Sequence, residues 1–149
     1  MTEHEFTSEQ LYKQAQGNLA GFILGTMAYL KEQGRTPEEW ATFIGNRFAP
    51  GWEFLKGQGA KAAMQSVVVN LLSAGASLHS LTGDDVQAEA IIADWPSADA
   101  LEFFGLTQED ADPLHTIFTP IAAFLHLRYE WQRAGNQVTF RFWRERATS

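Results

Sequence analysis

The chain has no cysteine, which removes disulfides, thiolate metal sites and cysteine nucleophiles from consideration. It has no long apolar run either. The uncharged stretch 14–30 is interrupted by Gln14, Gln16 and Asn18, too short and too polar for a membrane span. The first ten residues, MTEHEFTSEQ, lack the basic start and apolar stretch of a secretory signal, so a cytoplasmic setting is expected. Positive charge is missing from the middle of the chain. No lysine or arginine falls between Lys61 and Arg128, an interval that holds nine acids. The net charge of −7 argues against general nucleic-acid binding.

What is present suits an ordinary fold. The 149 residues are 45% hydrophobic, which is about one domain with a real core. From Arg128 onward the basic residues are five arginines and no lysine, Arg128, Arg133, Arg141, Arg144 and Arg146. An acidic middle followed by an arginine end invites pairing, internally or with an anionic partner.

Three helices are expected first. Thr7 and Gln10 have capping-box spacing, with Phe6 and Leu11 as the staple around it. Leu11, Ala15, Leu19, Phe22, Ile23, Thr26 and Leu30 follow at helical spacing, giving a helix over 7–33 that stops at Gly34. Gly17, Gly21 and Gly25 form a second stripe on it. Each glycine costs a helix about 1 kcal/mol relative to alanine, so close approach of a helix, a second subunit or a flat ligand is the expected compensation. Thr36, Pro37 and Glu39 open a second helix with Trp40, Phe43, Ile44 and Phe48 as its buried stripe. A third, over 59–76, places Ala63, Met64, Val67, Val68, Leu71 and Leu72 inward. The KGQGAK segment before it offers amides and positive charge for an anion, without the pattern of a phosphate loop.

The second half reads as a sheet with short helices. Residues 86–95 alternate as a strand ended by Pro96, and short helical turns follow from Ser97, Thr107 and Asp112. HLRYEWQRAGNQVTFRFW, 126–143, then alternates apolar and polar positions around Gly135–Asn136. A two-residue turn there sets Trp131 against Phe140 and Tyr129 against Phe142 on one side. The other side pairs Glu130 with Arg141, Arg128 with Trp143 and His126 with Glu145. The aromatic face belongs to the core; the arginine face is either solvated or a binding surface, with Glu89 and Asp94 available as structural partners.

Residues 101–145, LEFFGLTQEDADPLHTIFTPIAAFLHLRYEWQRAGNQVTFRFWRE, resemble the C-terminal part of the L-2-amino-thiazoline-4-carboxylic acid hydrolase-like proteins. The shared features are an acidic segment, a basic-aromatic strand, a glycine turn and a closing Phe140–Arg141–Phe142 run. A hydrolase related to that family is a rival reading, for which activity on cyclic amide-like substrates would be abolished by changing His126 or Glu130. That family's closing strand begins with cysteine and aspartate, where Val138 and Thr139 stand here, so the resemblance implies a binding domain that lacks cysteine chemistry. The layout of helices followed by a small sheet also resembles the 4-vinyl reductase type of sensing domain.

Other chemistry is sparse. His4, His79, His115 and His126 have no second histidine at helical spacing, although His79, Asp84 or Asp85 and His126 could meet on the sheet. Asp110 and Asp112 fit helix capping better than acid–base work. No catalytic, metal or cofactor motif is recognisable. The expectation is a single α+β domain, 1–149, with N-terminal helices on an antiparallel sheet of three or four strands. It binds a small organic, carboxylate-bearing ligand between helices and sheet, anchored by Arg128, Arg141, Glu130 and Trp143 with His126 as hydrogen-bond partner. Neither nucleic acid nor membrane is a partner, and no cofactor is called for. The alternatives are the hydrolase reading and a homodimer through the Gly17–Gly21–Gly25 face.

Overall fold

The computed structural model describes residues 6–145; His4 and Arg146 lie outside them. Helix α1 (Ser8–Glu32) opens on the expected box: the Gln10 amide donates to the Thr7 hydroxyl at 3.1 Å and the Thr7 amide to Gln10 Oε1 at 2.9 Å. Phe6 and Leu11, the expected staple, are both exposed. Helix α2 (Pro37–Phe48) is capped by Thr36 and runs into a 3₁₀ segment, Ala49–Leu55. Helix α3 (Ala60–Ser73) buries Ala63, Met64, Val67, Val68 and Leu71 as its spacing requires.

Strands β1 (Ser77–Gly83) and β2 (Gln87–Ala93) follow, then α4 (Ala98–Phe104), α5 (Gln108–Ala111) and a 3₁₀ segment, Asp112–Ile117. Helix α6 (Phe118–Phe124) and strands β3 (Arg128–Ala134) and β4 (Gln137–Trp143) complete the chain. The four strands form one antiparallel sheet in the order β1-β2-β4-β3. Helices α3 and α6 lie on one face of it, so the protein is α+β with its N-terminal helices ahead of the strands. Val138, Phe140 and Phe142 of β4 and Ala88, Ala90 and Ile92 of β2 are buried on that face.

The hairpin register is the expected one. Trp131 stands opposite Phe140, Tyr129 opposite Phe142, Glu130 opposite Arg141 and Arg128 opposite Trp143. Gly135 at the turn has φ +63°, the left-handed region that a tight hairpin turn needs. The His126–Glu145 pair does not form, because β3 begins only at Arg128. Residues 125–127 instead close α6: the Leu127 amide donates to the Ala122 carbonyl at 2.9 Å and the His126 amide to Ala123 at 3.1 Å. His126 takes the left-handed position (φ +59°) that glycine usually fills in such a closure. Arg128 reaches Glu145 in its place.

The burial of α1 and α2 differs from the spacing rule. On α1 the fully buried residues are Leu24 and Met27, while Leu11, Leu19 and Phe22 are exposed. On α2 the small residues Ala41 and Gly45 are buried and Phe43 and Phe48 are exposed. Small side chains are inside because other segments approach there closely. A β-carbon on Gly45 would lie 2.3 Å from the Ile117 carbonyl oxygen and 2.5 Å from Pro120 Cγ. At Gly21 and Gly25 of α1 it would lie 4.0 and 3.5 Å from the ring of Phe104. A side chain of α4, rather than a second backbone, therefore covers two glycines of the stripe. Gly17 faces open space.

These two kinds of glycine should separate cleanly in denaturant. Gly45→Ala is expected to lose about 1–3 kcal/mol, the usual scale of an overpacked site. Gly17→Ala is expected to gain about 0.5–1 kcal/mol from helix propensity alone. Urea unfolding of the two variants checks this; equal effects would mean that α2 does not pack as described.

Candidate functional site

The residues expected to anchor a ligand lie on the outer, solvent-side face of the sheet. Glu130, Arg141 and Trp143 meet around an open surface groove with Gln87 and Glu145. Arg141 Nη1 stands 3.4 Å from Glu130 Oε1, both side chains about half exposed, and its guanidinium carbon is 5.7 Å from the centre of the Trp143 ring. Arg128 pairs with Glu145, and His126 is exposed beside the start of β3. Arg128 and Arg141 are thus each engaged by a neighbouring carboxylate, and solvent-exposed pairs contribute about 0–1 kcal/mol. Glu89 stands opposite Arg141 across the β2–β4 pairing. Asp94, expected as an arginine partner, binds Asn136 instead, at 3.2 Å.

Two other sequence expectations resolve differently. At the KGQGAK segment the Ala60 and Lys61 amides donate to the Asp85 and Asp84 carbonyls at 2.9 and 3.0 Å. The helix N-terminus thus clamps the β1–β2 turn, and those amides are not open to an anion. Among the described residues no three metal-ligating side chains cluster, so His79, Asp84, Asp85 and His126 do not come together as a metal site.

The opposite face of the sheet holds a cavity. Between α1, α3, α6 and the two 3₁₀ segments lies a space of about 160 Å³. Trp52, Leu71, Ala74, Leu114 and Ile121 give it apolar walls, and Leu19, Phe48 and Asn70, all exposed, form its rim. Besides Asn70 at the rim, two buried side chains with polar atoms line it, Trp95 at 5% exposure and His115 at 1%. The Trp95 Nε1 and both ring nitrogens of His115 are buried without any hydrogen-bond partner. Buried polar groups are nearly always paired, and leaving one unpaired costs about 1–3 kcal/mol. Trp95 and His115 are thus the lining residues that leave buried nitrogens unpaired; a fourth such atom, Arg133 Nη2, belongs to a residue outside the lining.

Each anchor is held by the hairpin. Asp94, in the left-handed conformation (φ +59°), receives a side-chain bond from Asn136 and donates its amide to the Asn136 carbonyl at 3.3 Å. That clasp ends β2 and turns Trp95 inward. On the other side, the Tyr129 hydroxyl donates to the His115 carbonyl at 2.7 Å. The imidazole packs edge-to-face with Trp131 and Phe140, centroids 5.2 and 5.1 Å away. Ring faces are weak hydrogen-bond partners at best. Arg133 shares the inward face of β3 and donates from Nε to Asp112 Oδ1 at 2.7 Å, with side chains 14% and 16% exposed. Asp112 is therefore an ion-pair partner that ties the 3₁₀ segment to the sheet. Asp110 does cap α5 and also binds Lys31 at 2.7 Å, the lysine contact being the main reason its carboxyl sits below the usual range.

Burial, reinforced by the nearby Arg133 guanidinium, pushes the His115 pKa down to about 3. The imidazole is therefore neutral at pH 7, with one nitrogen a donor and the other an acceptor.

Trp95, His115 and Arg133 were not singled out by sequence reasoning. Arg133 was legible as the next inward position after Tyr129 and Trp131. His115 carries no local signal, since its surroundings come from three distant strand residues. No protein-family model matches the chain, and no curated protein is similar to it.

A depressed histidine pKa has a definite sign. As pH falls, unfolded chains take up a proton near the ordinary value of 6.5, while folded His115 refuses it until about 3. Stability is therefore fully present above that window and is lost on acidification, by up to about 1.4 kcal/mol per pH unit. His115→Leu is expected to flatten this slope between pH 6.5 and 4.5 and to raise stability at pH 7 by about 1–3 kcal/mol. Thermal unfolding across that range provides the check. A variant that is less stable at pH 7 would show that the imidazole nitrogens are satisfied.

Proposed function

We propose that the protein is a small-molecule-binding domain whose ligand occupies the cavity among the helical segments at Trp95 and His115. The observation that carries this is an apolar space, open at its rim, whose lining includes two buried residues with unpartnered ring nitrogens. Ligand sites in general combine apolar walls with a few placed polar groups. A stable interior needs neither the void nor the orphaned nitrogens, since both lower stability. The position expected from the alternation of the hairpin is between helices and sheet; the space instead lies within the helical layer, and no strand residue lines it. The anchoring groups are the inward ones, and the Arg128, Arg141, Glu130 and Trp143 cluster serves as the paired outer surface of the same strands. The volume is close to the roughly 150 Å³ engineered cavity that accepts benzene, so the ligand, or the part of it enclosed, is about one ring in size.

Filling the space tests this. Ala74 is buried and lines the cavity, and Ala74→Leu places added carbon inside it. Ligand-observed NMR with single-ring aromatic probes is expected to show binding to the wild type and its loss in Ala74→Leu, with the circular dichroism spectrum kept. Binding unchanged in a folded Ala74→Leu protein would place the ligand elsewhere.

A further inference from the structure

We infer that the cavity selects an uncharged, flat ligand that presents a hydrogen-bond acceptor beside a donor, and that it rejects carboxylates; this rests on the binding reading above. Among the residues lining the space there is no lysine, arginine, aspartate or glutamate. A carboxylate entering it would lose its water with no cation to replace it, which is the expensive case for burying charge. Arg133, near His115, is bound to Asp112 through Nε and to the Gly135 carbonyl through Nη1 at 3.2 Å; its Nη2 is buried without a partner, but the residue does not line the space. Arg128 and Arg141 are engaged on the other face of the sheet. No described hairpin arginine thus faces the cavity, which turns the carboxylate expectation around.

The buried polar inventory of the site is specific, Asn70 standing at the exposed rim with its amide nitrogen donating to the Ser66 carbonyl at 2.8 Å. The Trp95 indole offers one donor. A neutral His115 offers one donor and one acceptor, and its burial keeps it neutral. Two donors and one acceptor match a neutral carbonyl with an adjacent N–H, the edge of a lactam or pyridone. An aromatic hydrocarbon fills the volume but leaves all three atoms unpaired. A carboxylate meets the donors but faces the acceptor nitrogen with a like-signed lone pair. The walls suit a flat ring, since Trp52 and Phe118, themselves packed edge-to-face at 6.3 Å, both line the space.

Three probes of one-ring size separate these cases: toluene, 2-pyridone and benzoate, titrated at pH 7 by calorimetry and NMR. 2-Pyridone is expected to bind roughly ten- to a hundredfold tighter than toluene, the scale of satisfying buried orphan groups. Benzoate is expected not to bind. Trp95→Phe, which keeps the ring and removes the N–H, is expected to cut most of the pyridone advantage while leaving toluene within about twofold; His115→Leu should do the same. Benzoate binding as tightly as 2-pyridone, with proton uptake that protonates His115, would overturn the inference and leave the cavity reading standing. So would a 2-pyridone affinity equal to that of toluene. If none of the three binds, the cavity reading itself falls, and this inference with it.

Discussion

The tight turn at Gly135–Asn136 joins β3 to β4 and sets which face of the hairpin each side chain occupies. A slip of one residue would send Tyr129, Trp131, Phe140 and Phe142 to solvent. In the observed register they form the bed on which His115 and Phe118 lie. The same turn reaches outward to both sides of the cavity. Asn136 clasps Asp94 and so orients Trp95, while Arg133, two residues before Gly135, secures Asp112 and the segment that carries His115. One hairpin thus positions both polar anchors, although neither anchor belongs to it.

Around that frame the helices pack through their small residues. Gly45 lets the 117–120 segment press against α2, and Gly21 and Gly25 receive Phe104. This close packing draws the cavity walls together on one side. The larger side chains of α1 and α2, Leu19 and Phe48 among them, are left near the rim or on the surface. On α2 the buried residues, Ala41 and Gly45, are therefore those that set the spacing of the segments, whereas α1 buries Leu24 and Met27 and α3 buries Met64 and Val67.

This explains what the sequence could and could not convey. The hairpin register followed from period-two alternation and one turn, because both constraints are local. The α1 cap and the inward stripe of α3 were legible for the same reason. The buried faces of α1 and α2 were not: the apolar positions of α1 spread over two sides, and large side chains outweigh glycine in any pattern although glycine marks the contact. Strand β1 was missed because SLHSLTG alternates poorly, its pairing being interrupted by a bulge between Leu78 and Ser80. The candidate site was half legible. A pocket on the helical side of the hairpin could be argued, but the cavity lies among the helical segments rather than against the strands, and an unsatisfied nitrogen at Trp95 or His115 leaves no trace in sequence.

Two faces of one sheet thus compete as the functional surface, and each carries a tryptophan. Trp40, Trp52, Trp95, Trp131 and Trp143 are the five in the chain, so an amide correlation spectrum should show five separate indole N–H signals. The most direct measurement follows those signals while a cell extract fraction or a single-ring ligand is added. The cavity account expects the Trp95 indole signal to move, with Trp143 unchanged. Movement of Trp143 with Trp95 fixed would contradict it and return the binding surface to the arginine face of the hairpin.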